Sequence, residues 1–198
     1  VKITDIKPQI KRPNRYSVYV DNKYEFSLSE SALLNSKIVK GQDIEAKLLR
    51  QLNKLSNDDK IYSQVLNYAA RNLKTQWEIK FYLQRKEAPP ALIDNILNKL
   101  SDIGLVDDYK YAKTYINNKR LLHPTSRRKI TFELRKKHID GQLIDKALEV
   151  EGFSDNSTLQ DLIDRKRRQA KYQDDLKLMQ YLARQGYNYE DIKAALKT

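Results

Sequence analysis

Three runs of cations are the residues whose types and spacing can do chemistry in this sequence. They are Arg127-Arg128-Lys129, Arg135-Lys136-Lys137 and Arg165-Lys166-Arg167-Arg168. Shorter basic pieces stand at Arg85-Lys86 and Arg184. Closely spaced guanidinium and ammonium groups bind polyanions, contacting phosphates without reading sequence and with a steep dependence on salt. Adjacent residues of a helix point about 100° apart, so Arg128, Arg135 and Lys136 share one face only in part. The runs are expected as a stripe across helix ends. Thirteen tyrosines interleave with them and offer surfaces on which bases stack. Tyr68, Tyr82, Tyr115 and Tyr181 fall on apolar stripes and read as core, which leaves fewer for that role.

Other chemistries lack their residues. The five glycines, at 41, 104, 141, 152 and 186, are isolated, so no glycine-rich loop exists to cradle a nucleotide phosphate. Cysteine is absent, which excludes disulfides and thiolate metal sites and fits a reducing compartment. His123 and His138 stand alone in basic surroundings, without the clustered ligands a metal needs. Asp107-Asp108 resembles a carboxylate pair, but an N-cap explains Asp107. No nucleophile–base constellation is present. The chain reads as a non-enzyme that uses no cofactor.

The charge balance agrees. Of a net +12, residues 109–153 contribute +6, from eleven basic and five acidic groups. Residues 59–108 are neutral, with seven of each. Charge concentrated in one segment points to a polyanionic partner more strongly than a diffuse basic composition does. No run of about 18 apolar residues is present to span a membrane. Val1-Lys2-Ile3-Thr4 lacks the apolar stretch of a secretory signal.

The elements that position the cations repeat. Taking Leu134 as an anchor, aliphatic residues stand four before it (Ile130), ten after (Ile144) and fourteen after (Leu148). The same places around Leu83 hold Ile79, Ile93 and Leu97, and around Leu182 they hold Leu178, Ile192 and Leu196. A period near 50 residues marks a repeat architecture. The expected fold is mainly α, with tandem three-helix repeats over 59–106, 107–153 and 154–198 in an elongated, curved array. Thr75 with Glu78 matches a capping box, and Asp107 and Ser126 are expected N-caps. Pro89-Pro90 is expected to stop the second helix of the first repeat, and Gly141 to break the central helix. The link from Lys86 to Ala91 reads as too long for a helix-turn-helix.

Residues 1–58 differ. Arg15–Val20 and Lys23–Leu28 are β-forming runs joined by Asp21-Asn22, a hairpin signal. Ile3–Ile6 offers a third strand. Ser29 is an expected cap of a short helix. A linker helix then carries Ile44, Leu48, Leu49, Leu52 and Leu55, and is expected to end at Ser56-Asn57-Asp58.

Several motifs, in order, resemble the RecX family. They are Leu66-Asn67-Tyr68-Ala69-Ala70-Arg71, Glu78 to Lys86, Gly104-Leu105-Val106-Asp107-Asp108, Tyr111-Ala112-Lys113, Ile130 to Lys137, and Tyr181 to Tyr187 with Asp191-Ile192. The hairpin resembles the β extension of longer members. The resemblance implies a monomeric cytoplasmic protein that binds in the groove of the RecA filament on single-stranded DNA, inhibiting its ATPase and strand exchange. It implies that the basic stripe faces the filament or its DNA. A free-standing nucleic-acid-binding module without a recombinase target is the alternative that the cations alone permit. A repeat scaffold for an acidic protein is a third.

Overall fold

The alternating runs near the N-terminus form a three-stranded antiparallel sheet of order β1-β2-β3, from β1 (Ile3–Pro8), β2 (Arg15–Val20) and β3 (Lys23–Ser29). Asp21 and Asn22 both adopt positive φ, 47° and 65°, as the tight two-residue hairpin turn requires. Ser29 closes β3 and caps α1 (Glu30–Ser36) by accepting the Ala32 N–H. The structure is a computed structural model that describes residues 1–197, so of the expected segment 154–198 only Thr198 lies outside it.

The linker helix does not end at Ser56. α2 runs unbroken from Ala46 to Arg71. The expected break rested on Ser56, Asn57 and Asp58, residues that favour caps because their side chains bond nearby backbone. Here the serine is turned to another use. Ser56 is buried and its hydroxyl donates to the Ser27 carbonyl of β3 at 2.7 Å. One turn on, Asp59 accepts from Arg15 Nη1 at 3.0 Å and from the Ser29 N–H at 2.8 Å. Arg15 also donates to the Ser27 hydroxyl and carbonyl. Helix and sheet are thus joined through a buried ion pair beside an apolar core of Ile3, Val18, Phe26, Leu28, Ile38, Ile44 and Leu52.

The three anchors each fall in the second helix of a triplet. The first triplet is the C-terminal part of α2 with α3 (Gln76–Gln84) and α4 (Pro90–Asp102). The second is α5 (Asp108–Leu122), α6 (Arg127–Lys136) and α7 (Gly141–Val150). The third is α8 (Asp155–Arg167), α9 (Asp175–Arg184) and α10 (Tyr189–Leu196). Ten of the twelve aliphatic repeat positions are buried; Leu97 and Leu196, the last of their copies, are half-buried. The chain divides into two compact units. One comprises Val1–Asn72 with Ile79–Ile103; the other comprises Leu73–Glu78 with the chain from Gly104 onward.

The second helices end by a common device. The residue four places after each anchor, Glu87, His138 or Gly186, takes positive φ (57°, 59° and 92°), the left-handed turn that closes a helix C-terminus. Two expectations change as a result. α6 is broken by His138 in this conformation, and Gly141 instead opens α7 behind the N-cap Asp140. Pro89 and Pro90 do not stop α3, which has already ended; Pro90 occupies the first turn of α4, where its missing N–H costs nothing. The links before the third helices therefore span only residues 85–89, 137–140 and 185–188, and the last two have the length of a helix-turn-helix turn.

Replacing Asp59 by Ala strands the Arg15 cation in a buried site. Urea denaturation is expected to show about 3–5 kcal/mol lost, and a loss under about 1 kcal/mol would show that the pair does not join helix to sheet.

Candidate polyanion-binding interface

The unit from Gly104 onward carries most of the cations, so its internal joints decide which of them are free. At each joint the start of a second helix is met by the next triplet. Gln76 opens α3 and its N–H is accepted by Asp108 Oδ1 at 2.8 Å; Arg127 opens α6 and its N–H is accepted by Asp155 Oδ1 at 2.6 Å. The neighbouring N–H groups are capped from within, by Thr75 on Glu78 and Ser126 on Lys129, as the sequence suggests. Asp107 caps Lys110 in the same manner. Asp108 therefore has a use of its own beside the N-cap Asp107, on the opening N–H of α3. Burial pushes its carboxyl upward, Asp107 and Glu78 add to that, and the Gln76 N–H opposes it.

The same joints consume cations. Glu78, five residues before its anchor, pairs with Lys137, three after the next anchor, at 2.7 Å. One repeat later the equivalent positions hold Lys129 and Gln185; Lys129 Nζ donates to Gln185 Oε1 at 3.0 Å and to the Arg184 carbonyl at 3.1 Å. His138 stacks on Trp77 with centroids 4.2 Å apart. Gly186 sits where a β-carbon would stand 2.4 Å from Ser126 Oγ and 3.0 Å from Lys129 Cβ, in a conformation that already disfavours a side chain.

The run 165–168 is also largely engaged. Arg165 Nη1 donates to the Leu121 carbonyl at 2.9 Å. Lys166 lies over the rings of Tyr172 and Tyr181 at 5.3 and 4.6 Å. Arg167 donates to the carbonyls of Tyr172 and Gln173 and pairs with Asp175, holding the turn between α8 and α9. Arg168 is exposed and has no partner among the described residues. Arg127 pairs with Asp145 at 3.3 Å, an exposed contact worth about 0–1 kcal/mol.

What remains is the outer face of α6. Arg128, Arg135 and Lys136 are exposed and none has a carboxylate partner among the described residues. Glu133, the one acid of this helix, points instead to α5, where it accepts from Tyr115 Oη at 2.7 Å and from Lys119 at 2.9 Å. Burial raises Tyr115's hydroxyl, and the bond to Glu133 raises it further. Tyr115 is therefore occupied, and Tyr68, Tyr82 and Tyr181 are half-buried rather than fully enclosed. Tyr68 and Tyr82 stack on each other at 4.5 Å. In the other unit, Arg85 and Lys86 are exposed near the end of α3, with Lys86 over the Tyr82 ring. Arg184 is exposed at the end of α9.

Comparison with known proteins bears on what this face belongs to. Residues 1–45 match the family model described as the regulatory protein RecX N-terminal domain, and residues 107–148 match the RecX second three-helix domain. Regulatory protein RecX of Limosilactobacillus reuteri is 32% identical over 203 residues, covering 97% of this chain and 75% of its own. The chain belongs to the RecX family of regulatory proteins. Regulatory protein RecX of Listeria welshimeri is 28% identical over 202 residues, covering 98% of this chain and 74% of its own. The crystal structure of a regulatory protein RecX superposes with a TM-score of 0.75 at 27% identity, covering 100% of this chain and 99% of the other. That of RecX from Lactobacillus salivarius has a TM-score of 0.59 at 24% identity over 71% of this chain and 95% of the other, a likeness of fold. RecX proteins are regulators rather than enzymes. No described helix is long and apolar enough to cross a membrane.

The Glu78 carboxyl is held below its usual value. Burial works against this and is outweighed by the bonds from Lys137 and the Thr75 N–H and by the charges of Lys137 and Lys74. A carboxyl lowered in the folded state stabilises fully above its unfolded pKa and loses that contribution as pH falls through the folded value. Glu78→Gln keeps the capping bond and removes the ion pair. It is expected to lower stability by about 0.5–1 kcal/mol at pH 7, and the gap to the parent should close below about pH 4. Urea melts at both pH values check this; a gap that persists in acid assigns the effect to packing.

Proposed function

We propose that this chain is a negative regulator of the RecA recombinase, binding in the groove of the RecA–single-stranded DNA filament and inhibiting its ATPase and strand exchange. The observation that carries the reading is the cationic face of α6, in a chain of the RecX family, with its one helix carboxylate turned away. A filament on DNA is a polyanion of regular pitch, and a repeat protein presents groups at a regular spacing suited to it. The segments 1–58, 59–106, 107–153 and 154–198 are taken as its working parts. The chain acts as a monomer in the cytoplasm, without a cofactor.

Within this reading the thirteen cations divide by availability. Arg128, Arg135 and Lys136 make the main contact, with Arg168, Arg184, Arg85 and Lys86 as further exposed charges. Lys129, Lys137, Arg165, Lys166 and Arg167 act mainly by holding the helices that display the others, and Arg127, exposed and only weakly paired with Asp145, adds to the contact.

The test is RecA's DNA-dependent ATPase and strand exchange, with and without substoichiometric amounts of this protein. Inhibition at low ratio is expected; none at any ratio, with DNA binding retained, leaves a free-standing nucleic-acid-binding module. Reversing Arg128, Arg135 and Lys136 to Glu is expected to weaken inhibition at least roughly tenfold, since each lost phosphate contact lowers affinity and flattens its salt dependence. The circular dichroism of this variant should be unchanged, because none of the three supports the fold. Unaltered inhibition would remove this face from the mechanism.

A further inference from the structure

Phe132 is 58% exposed at the middle of the same face, and nothing in the fold accounts for it. Its helix neighbours one turn away in each direction are Arg128, Lys129, Arg135 and Lys136. By helix geometry all four lie within about 60° of it. Lys136 Nζ stands 4.5 Å from the ring centroid. The two core residues of α6, Ile130 and Leu134, are fully buried on the opposite side, so Phe132 cannot be a misplaced part of that stripe. Its counterparts in the other repeats lack this setting: Phe81 is flanked by Trp77, Glu78, Gln84 and Arg85, and position 180 is Gln.

An aromatic face inside a ring of cations has a defined complement. Lys129 is engaged with Gln185 and the Arg184 carbonyl, and the three free cations, Arg128, Arg135 and Lys136, take phosphates spaced along a strand while the ring takes the π-face of a base lying between them. A duplex keeps its bases stacked inside and offers no such face, whereas a single strand does. We propose that Phe132 is a base-stacking platform, and that α6 binds single-stranded nucleic acid through bases as well as phosphates. This rests on the polyanion reading of α6 and adds a contact that charge alone does not supply. Stacking of this kind tolerates any base, so the contact is independent of sequence.

Binding of the full chain to a single-stranded oligonucleotide is compared with binding to an abasic oligomer of the same length, which has the phosphates and no bases. Phe132→Ala is expected to weaken the oligonucleotide roughly tenfold and leave the abasic oligomer unchanged. Phe132→Trp should restore oligonucleotide binding, with fluorescence quenching beyond the Trp77 signal of the parent. Equal affinities of Phe132→Ala and the parent for the oligonucleotide would overturn the platform while leaving the phosphate contact standing. So would a matching loss on both probes. Failure of the parent to bind either probe would overturn the polyanion reading and the platform together.

Discussion

The repeats depend on a hydrogen bond that none of them makes for itself. The opening N–H of a second helix is an orphan donor, and in α3 and α6 it is satisfied by the first aspartate of the following triplet, Asp108 or Asp155. That bond sets the seat for the others. Once the aspartate is in place, the left-handed end of the next second helix comes against the start of the preceding one, bringing His138 onto Trp77 and Gly186 onto Ser126. The last triplet has no follower among the described residues, and its second helix begins differently. Asp174 alone accepts from both Leu176 and Lys177.

Much of the fold was legible because it rests on short-range rules. The aliphatic spacing around Leu83, Leu134 and Leu182 reports a buried helical face directly, and Thr75, Asp107 and Ser126 bond residues three positions away. What failed did so where a local signal had a distant partner. Ser56 has the character of a cap, yet its hydroxyl serves β3 across 29 residues. Asp108 looks like a redundant neighbour of Asp107 until the Gln76 N–H, 32 residues back, is seen against it. His138 is a weak sign of a helix end: histidine is enriched at positive φ but far less committed to it than glycine, and the ring it stacks on, Trp77, lies 61 residues back.

The candidate site was legible as a charge excess and not as a surface. Residues 109–153 hold half the net charge, and that segment does present the exposed cations of α6. The run 165–168 looks denser in the sequence, but the partners of Arg165 and Arg167 include backbone carbonyls, which every residue possesses and no sequence pattern distinguishes. Phe132 stands two before its anchor, as Phe81 does before Leu83. Only its exposure, together with the burial of Ile130 and Leu134 opposite, separates it from a core residue.

The paired positions five before one anchor and three after the next also work as an address. Of the residues five before an anchor, only Glu78 is acidic; Lys129 and Lys177 hold the same place in the later copies. The second repeat presents Lys137 to its predecessor, and so accepts the first repeat ahead of it. A tandem copy of itself, or the third repeat moved forward, would set lysine against lysine. The third repeat presents neutral Gln185, which tolerates the lysine it meets. Three modules built on one apolar template thus differ in charge at one pair of positions, and that difference favours the observed order over a tandem copy of the second module.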